Sequence, residues 1–251
     1  MKILLCGATG FIGAETLDQC LKHNYIQHIY CLTRHELPTK YSTHAKVTQL
    51  VHEDFSQYPE SLLDKLSAYK IEGCIWCLGG RSMASFKNKE EAETVGIHYP
   101  IQAANAFATR LATKLDPDKP PMKQKYPFRF VFVSGWGAEQ DQFRSLWMWN
   151  DSRKIKGAAE KGVFDVADTS EEIKGKRCFE AIALRPGTVL TGGDATTTLL
   201  SEAVVPCIAV DRLAKCAIKM VLEGTGYPEK RVLENGECLG PDWAMINSLR
   251  V

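Results

Sequence analysis

Three glycines at equal spacing, Gly7, Gly10 and Gly13, constrain this chain more than any other stretch. Ile3 to Cys6 before them form a short apolar run of strand type, and a helical pattern starts near Phe11. A strand that passes into a helix through such a triplet gives each glycine its own task. Gly7 lets the chain leave the strand sharply, Gly10 lets the backbone approach a bound pyrophosphate, and Gly13 lets the helix lie close on the sheet. The helix N-terminus adds unpaired N–H groups and partial positive charge, which suit phosphate. Gly7, Thr9, Gly10, Phe11, Ile12 and Gly13 are therefore the candidate cradle for a dinucleotide.

Downstream, strand-like and helix-like segments alternate. Strands are expected at 28–33, 46–52, 73–78, 128–133 and 178–184, with helices at 11–23, up to 69 after Pro59, and at 89–111. Residues 114–126 and 162–176 are expected as a surface loop and a polar surface extension. A late strand is expected at 206–211 with a helix to 222, and a final strand and tail at 236–251. Six or more such alternations predict an α/β fold, a doubly wound and mostly parallel sheet with helices on both faces. A length of 251 residues, 45% of them apolar, suits one domain over 1–251.

Composition narrows the partners. The formal net charge is +1 and no basic stripe is present, which argues against nucleic acid. No apolar run nears the roughly 18–20 residues that span a bilayer, and Met1 leads straight into a core strand, so no membrane partner and a cytoplasmic address are expected. The nine cysteines are read as thiols. Cys74 and Cys77 match C-x-x-C, but three residues apart on a strand they point to opposite faces, so no metal site is expected.

Arg34 lies at the end of the second strand, about twenty residues past the glycines. An Asp or Glu here would bond the ribose hydroxyls of NAD, yet Leu32, Thr33 and Arg34 include no acid. A guanidinium can instead grip the 2′-phosphate of NADP, so NADP(H) is the expected cofactor.

The stretch Gly7-Ala-Thr-Gly-Phe-Ile-Gly13 resembles the short-chain dehydrogenase/reductase superfamily. More narrowly, it is similar to the extended and atypical members, including the Tat-interacting oxidoreductase-like branch. The resemblance implies an NAD(P)-binding Rossmann domain and assigns further residues. Asp54 falls where that family has an Asp beside the adenine; capping of the following helix is its other reading. Leu78, Gly79 and Gly80 match the turn that passes the cofactor. Ser134 matches the catalytic serine, although a serine finishing a strand into a glycine turn reads the same way. Lys156, in Lys-Gly-x-x-Glu, matches the active-site lysine that also holds the nicotinamide ribose. Pro186, Gly187 and Val189 match the nicotinamide-side turn, which leaves about 191–205 and 236–251 as small substrate-side segments.

One position departs from the pattern. The family has Tyr four residues before the lysine, and this chain has Ser152. A phenol beside an ammonium exchanges a proton near neutral pH, and an alkyl hydroxyl does not. With Ser134, Lys156 and Ser152 as catalytic candidates, the expectation is an NADP(H)-binding oxidoreductase acting on a small carbonyl or alcohol metabolite through a non-standard centre. A non-redox isomerase, cyclase or dehydratase on the same fold, and an NADP-binding regulatory protein, stay open. The expected partner is a small-molecule substrate, and a homodimer is left open.

Overall fold

The computed structural model describes residues 1–80, 82–120, 126–191, 206–227 and 229–240. Its strands are β1 (Lys2–Cys6), β2 (His28–Thr33), β3 (Val47–Val51), β4 (Gly73–Trp76), β5 (Phe128–Val133), β6 (Glu172–Ile173), β7 (Lys176–Arg177), β8 (Phe179–Arg185), β9 (Thr188–Leu190), β10 (Cys207–Ala209) and β11 (Val232–Glu234). Its α-helices are α1 (Phe11–Lys22), α2 (Thr39–Ser42), α3 (Glu60–Ala68), α4 (Lys89–Glu93), α5 (Tyr99–Arg110), α6 (Asn150–Thr169), α7 (Val210–Glu223) and α8 (Asn235–Leu239). A π-helical turn, Thr94–His98, joins α4 to α5, so the expected helix at 89–111 is one nearly continuous run.

Seven strands form one sheet in the order β11-β8-β5-β4-β1-β2-β3, and every pairing in it is parallel. The order reverses between β1 and β4, which puts the switch point at the carboxyl ends of these two strands. The strands are apolar on both faces, as a sheet covered by helices on each side requires. In β1, Ile3 and Leu5 join the core under α1 and α7, while Leu4 and Cys6 join the core under α3, α5 and α6. Cys74 and Cys77 divide in the same way, and all nine cysteines are free thiols. Among the described residues no group of three metal-ligating side chains gathers, and no helix is long and apolar enough to cross a membrane.

Three expectations need correction. Residues 162–169 are not a surface extension: α6 continues through them to Thr169, with Val163 and Ala167 buried, and the hairpin β6–β7 follows. The late strand is shorter than 206–211: β10 spans Cys207–Ala209, α7 begins at Val210, and β10 pairs with β9 in a separate parallel ribbon. Among the described residues the last strand of the sheet is β11, and 236–239, expected to open a final strand, lie in α8; residues 241–251 of that expectation lie outside the described residues.

A buried ion pair ties the sheet to α7. Arg129 of β5 stands opposite Glu180 of β8 in register and is 1% exposed. Its Nε donates to Glu180 at 2.8 Å, and its Nη1 donates to the carbonyls of Val221 and Leu222 at 3.1 and 3.2 Å. The guanidinium thereby takes up carbonyls that the end of α7 leaves unpaired. Glu180→Ala would leave a buried positive charge uncompensated, at a cost of about 3–5 kcal/mol. Urea denaturation measures this, and a loss below about 1 kcal/mol would mean that the charge is solvated.

Candidate active-site cleft

The turn from β1 into α1 is packed backbone against backbone. Gly7 has φ +86°, and a Cβ built there would lie 2.7 Å from the Cys77 carbonyl carbon and the Leu78 nitrogen. A Cβ on Gly13 would lie 2.0 Å from the Gly7 carbonyl oxygen. Neither position can carry a side chain without moving the backbone. Gly10 differs: its backbone is extended, and a Cβ would meet only the Gly7 oxygen, at 3.3 Å. Gly10 is the N-cap of α1, which has no side-chain cap and no acid in its first turn. The helix thus presents its amino end to the space above Gly10 with no protein carboxylate there.

That space is a cleft of about 640 Å³ at the carboxyl ends of the strands. Twelve sequence-predicted residues line it: Gly10, Phe11, Ile12, Leu78, Gly79, Gly80, Ser134, Ser152, Lys156, Pro186, Gly187 and Val189. Gly7 and Gly13 lie beneath it as packing positions, and Thr9 is exposed in the turn. Arg34 and Asp54 do not line the cleft. Arg34 is exposed just after β2 and makes no hydrogen bond or ion pair among the described residues. Its turn is nevertheless fixed, because Gln49 Nε2 donates to Thr33 Oγ1 and the His35 carbonyl, both at 2.8 Å, while Gln49 Oε1 accepts from Leu37. Asp54 Oδ1 accepts from the Ser56 hydroxyl at 2.6 Å and its N–H at 2.9 Å, and these bonds hold its carboxyl below the usual carboxylate range. It closes its own turn rather than capping α3, whose N-cap is Pro59.

Lys156 reaches the cleft from α6. Its Nζ donates to the Val133 carbonyl at 3.2 Å, sits 5.2 Å from the Phe132 ring centroid, and lies 3.4 Å from where a Cβ of Gly79 would be. Burial pulls the ammonium down to about 8, against an upward pull from Glu160. Gly157, next along the helix, makes room for the loop after β5: a Cβ there would lie 1.9 Å from the Glu139 oxygen.

Ser134 is buried and engaged. Its hydroxyl donates to Glu160 Oε1 at 2.5 Å. Glu160, fully buried one helical turn beyond Lys156, is also gripped by Arg185, through Nε at 2.9 Å and Nη2 at 2.6 Å, and Arg185 Nη1 reaches Glu234 at 2.9 Å. Behind the cleft therefore runs a chain from Ser134 through Glu160 and Arg185 to Glu234. The turn at Pro186–Gly187 is pinned as well, since the Gly187 N–H donates to Asn235 Oδ1 at 2.8 Å and a Cβ on Gly187 would lie 1.7 Å from the Pro206 oxygen.

The sequence reading missed several cleft residues, among them Trp136, Trp149, Arg153 and Phe86, the last lying against Gly80. Arg153 could have been found by its place one turn before Lys156 on the same helix. The two tryptophans sit at a loop and a helix boundary, where no periodicity marks a direction.

No protein-family model matches the chain. A stretch of 142 residues, 54% of the chain, is 29% identical to part of the nonribosomal peptide synthetase acrB of Aspergillus aculeatus and spans only 8% of that protein. Among solved structures, the chain is similar to yeast methylglyoxal/isovaleraldehyde reductase Gre2 complexed with NADPH, with a TM-score of 0.66, 15% identity, and coverage of 93% of this chain and 77% of that one. It is similar to the PhqB reductase domain from Penicillium fellutanum, with a TM-score of 0.60, 15% identity, and coverage of 94% and 66%. It is also similar to a UDP-glucose 4-epimerase from Thermotoga maritima, with a TM-score of 0.57, 13% identity, and coverage of 87% and 72%. The fold is accordingly the α/β Rossmann fold in the form that these reductases and epimerases share.

The Lys156 environment can be tested without knowing a substrate. With lysines reductively methylated using labelled formaldehyde, the Lys156 NMR signal should titrate near pH 8, well below the ordinary lysine value of about 10.4. A Lys156 midpoint of 10 or above would mean that water reaches the ammonium freely.

Proposed function

We propose that this chain is an NADP(H)-binding oxidoreductase of a single Rossmann domain, acting on a small carbonyl or alcohol compound. One observation carries the reading: the glycine turn and the half-buried Lys156 open on the same cleft. The residues present fit a nicotinamide dinucleotide. Gly10 leaves open the space that a side chain would fill, and α1 offers its uncapped amino end to the pyrophosphate. Leu78, Gly79 and Gly80 would flank the cofactor, Lys156 would hold the nicotinamide ribose, and Pro186, Gly187 and Val189 would receive the carboxamide. Arg34, held out by the Gln49 clamp, would grip the 2′-phosphate, and Asp54 would lie toward the adenine. Such a cofactor, when bound, supplies hydride transfer. The similarity to reductases, one of them solved with NADPH, supports this choice.

The protein's own groups then orient and neutralise. Lys156 places positive charge beside the reacting oxygen. The Ser134 proton is committed to Glu160, so toward a ligand Ser134 offers its lone pairs. That arrangement, together with Ser152 in place of a phenol, favours a second reading, in which the cofactor is bound without redox turnover, either for non-redox chemistry or for regulation.

Two variants test the cofactor site by NADPH fluorescence titration. Gly10→Val should abolish NADPH binding with the circular dichroism spectrum unchanged, because its Cβ meets the fold only at the Gly7 oxygen, at 3.3 Å, while its methyl groups would occupy the space of a pyrophosphate. Unchanged affinity would move the site elsewhere. Arg34→Ala should weaken NADPH roughly ten- to a hundredfold and leave NADH nearly unaffected, the effect of losing one charge-assisted contact. Equal loss for both would show that Arg34 does not read the 2′-phosphate.

A further inference from the structure

Beyond the cofactor side, the cleft has a wall with its own chemistry. Trp149 is the N-cap of α6 and holds φ +52°, ψ +36°, a left-handed conformation that a bulky residue adopts only under constraint. It is 50% exposed, lines the cleft, and meets Trp136 edge to face at 6.3 Å. Arg153 lies over the Trp136 ring, its Cζ 5.7 Å from the centroid. Its Nε donates to the Gly137 carbonyl at 2.6 Å, and Nη1 makes only a 3.5 Å contact with the Met148 carbonyl. The guanidinium is thus anchored at one nitrogen, and Nη2 makes no hydrogen bond among the described residues.

The charges around it are unbalanced. No acidic side chain lines the cleft among the described residues. The carboxylates on neighbouring elements are each occupied: Glu139 by Arg144 at 3.0 Å, Asp151 by Lys89 at 3.5 Å, and Glu160 by Arg185. Arg153 and Lys156 are therefore two cations facing one cleft. They stand three residues apart on α6, so both leave the same side of the helix, Arg153 toward the Gly137 carbonyl and Lys156 toward that of Val133.

Resting on the oxidoreductase reading, we infer that the substrate is a planar aromatic or conjugated carbonyl compound that also carries a carboxylate. Arg153 receives the carboxylate through its terminal nitrogens, Trp136 and Trp149 flank the planar body, and the carbonyl lies toward Lys156. A guanidinium fork matches a carboxylate geometrically, and an aromatic wall confers shape preference at little entropic cost. Arg153 is in this sense the specificity-determining residue, and Trp149 is held in a strained conformation to form the wall.

The experiment uses 4-formylbenzoate and its methyl ester, which share ring and aldehyde but differ in charge. Each is titrated by calorimetry into the full chain saturated with NADP⁺, a state in which the aldehyde is not reduced. The acid should bind at least tenfold more tightly than the ester, and Arg153→Gln should erase the preference while NADPH affinity is unchanged. Trp149→Ala should weaken acid and ester alike. If Arg153→Gln disturbs the Gly137 turn and lowers NADPH affinity, Arg153→Lys serves instead and should keep only part of the preference. Equal affinity for acid and ester, or a preference that survives Arg153→Gln, overturns the inference. If the chain binds no NADP(H), the oxidoreductase reading fails, and the acid-against-ester comparison on the free protein still decides whether Arg153 is an anion site.

Discussion

The contact between Gly13 and the carbonyl of Gly7 is the constraint on which the rest of the structure depends. Helix α1 starts so close to the strand it leaves that a single methyl group on Gly13 would stand 2.0 Å from that oxygen. This approach holds the amino end of α1 over the carboxyl end of β1. Gly7, with its positive φ, presses in turn on the Cys77–Leu78 backbone beyond β4. The two strands at the switch point of the sheet are thereby locked together, and the cleft opens above their joint. Gly10 is less crowded, its built Cβ meeting only the Gly7 oxygen at 3.3 Å, which separates it from the two positions that the packing of the fold demands.

A second constraint lies under the other wall. Glu160 is fully buried, and a buried carboxylate persists only with charged and hydrogen-bonding partners. Arg185 supplies two bonds and Ser134 a third. These bonds fix the ends of β5 and β8 relative to α6, and so fix where Lys156 meets the cleft. Glu160 also favours the charged form of Lys156, while burial opposes it more strongly. The result is a cation poised between its two forms near pH 8 rather than a permanent one.

How much of this the sequence disclosed follows from the physics of each segment. The runs at 28–33 and 128–133 were read to the residue because continuous apolar strands between polar boundaries have no competing interpretation. The end of α6 was not, because in Glu160 to Thr169 the buried Val163 and Ala167, and the partly buried Phe164 and Val166 beside them, are interleaved with charged residues. Strand β11 has three residues, too few for periodicity, and owes its place to pairing with β8. In the cleft, the glycines were legible from their spacing, and Lys156 only through the family resemblance of Lys-Gly-x-x-Glu. Arg153, Trp136 and Trp149 were not, since their convergence depends on how the loop after β5 folds back on α6 through the Glu139–Arg153 backbone bond. Nor could sequence show that the Ser134 proton goes to Glu160, a group 26 residues away.

The two departures, Ser152 for a phenol and Ser134 turned toward Glu160, bear on one another. A phenol at 152 would exchange its proton with substrate oxygen and would use the neighbouring ammonium to lower its own pKa. Without it, few cleft groups exchange a proton near neutral pH. The serines and Thr188 are too weakly acidic, and burial pushes the Cys77 thiol up to about 12. Lys156 alone among the described cleft residues changes charge near pH 8. On the oxidoreductase reading, the proton that accompanies hydride transfer then comes from Lys156 or from water, and a group that needs the charged lysine loses it as pH rises through about 8. On that reading a remote carboxylate anchor would help in another way, because its binding energy can be spent on holding the carbonyl in place beside Lys156.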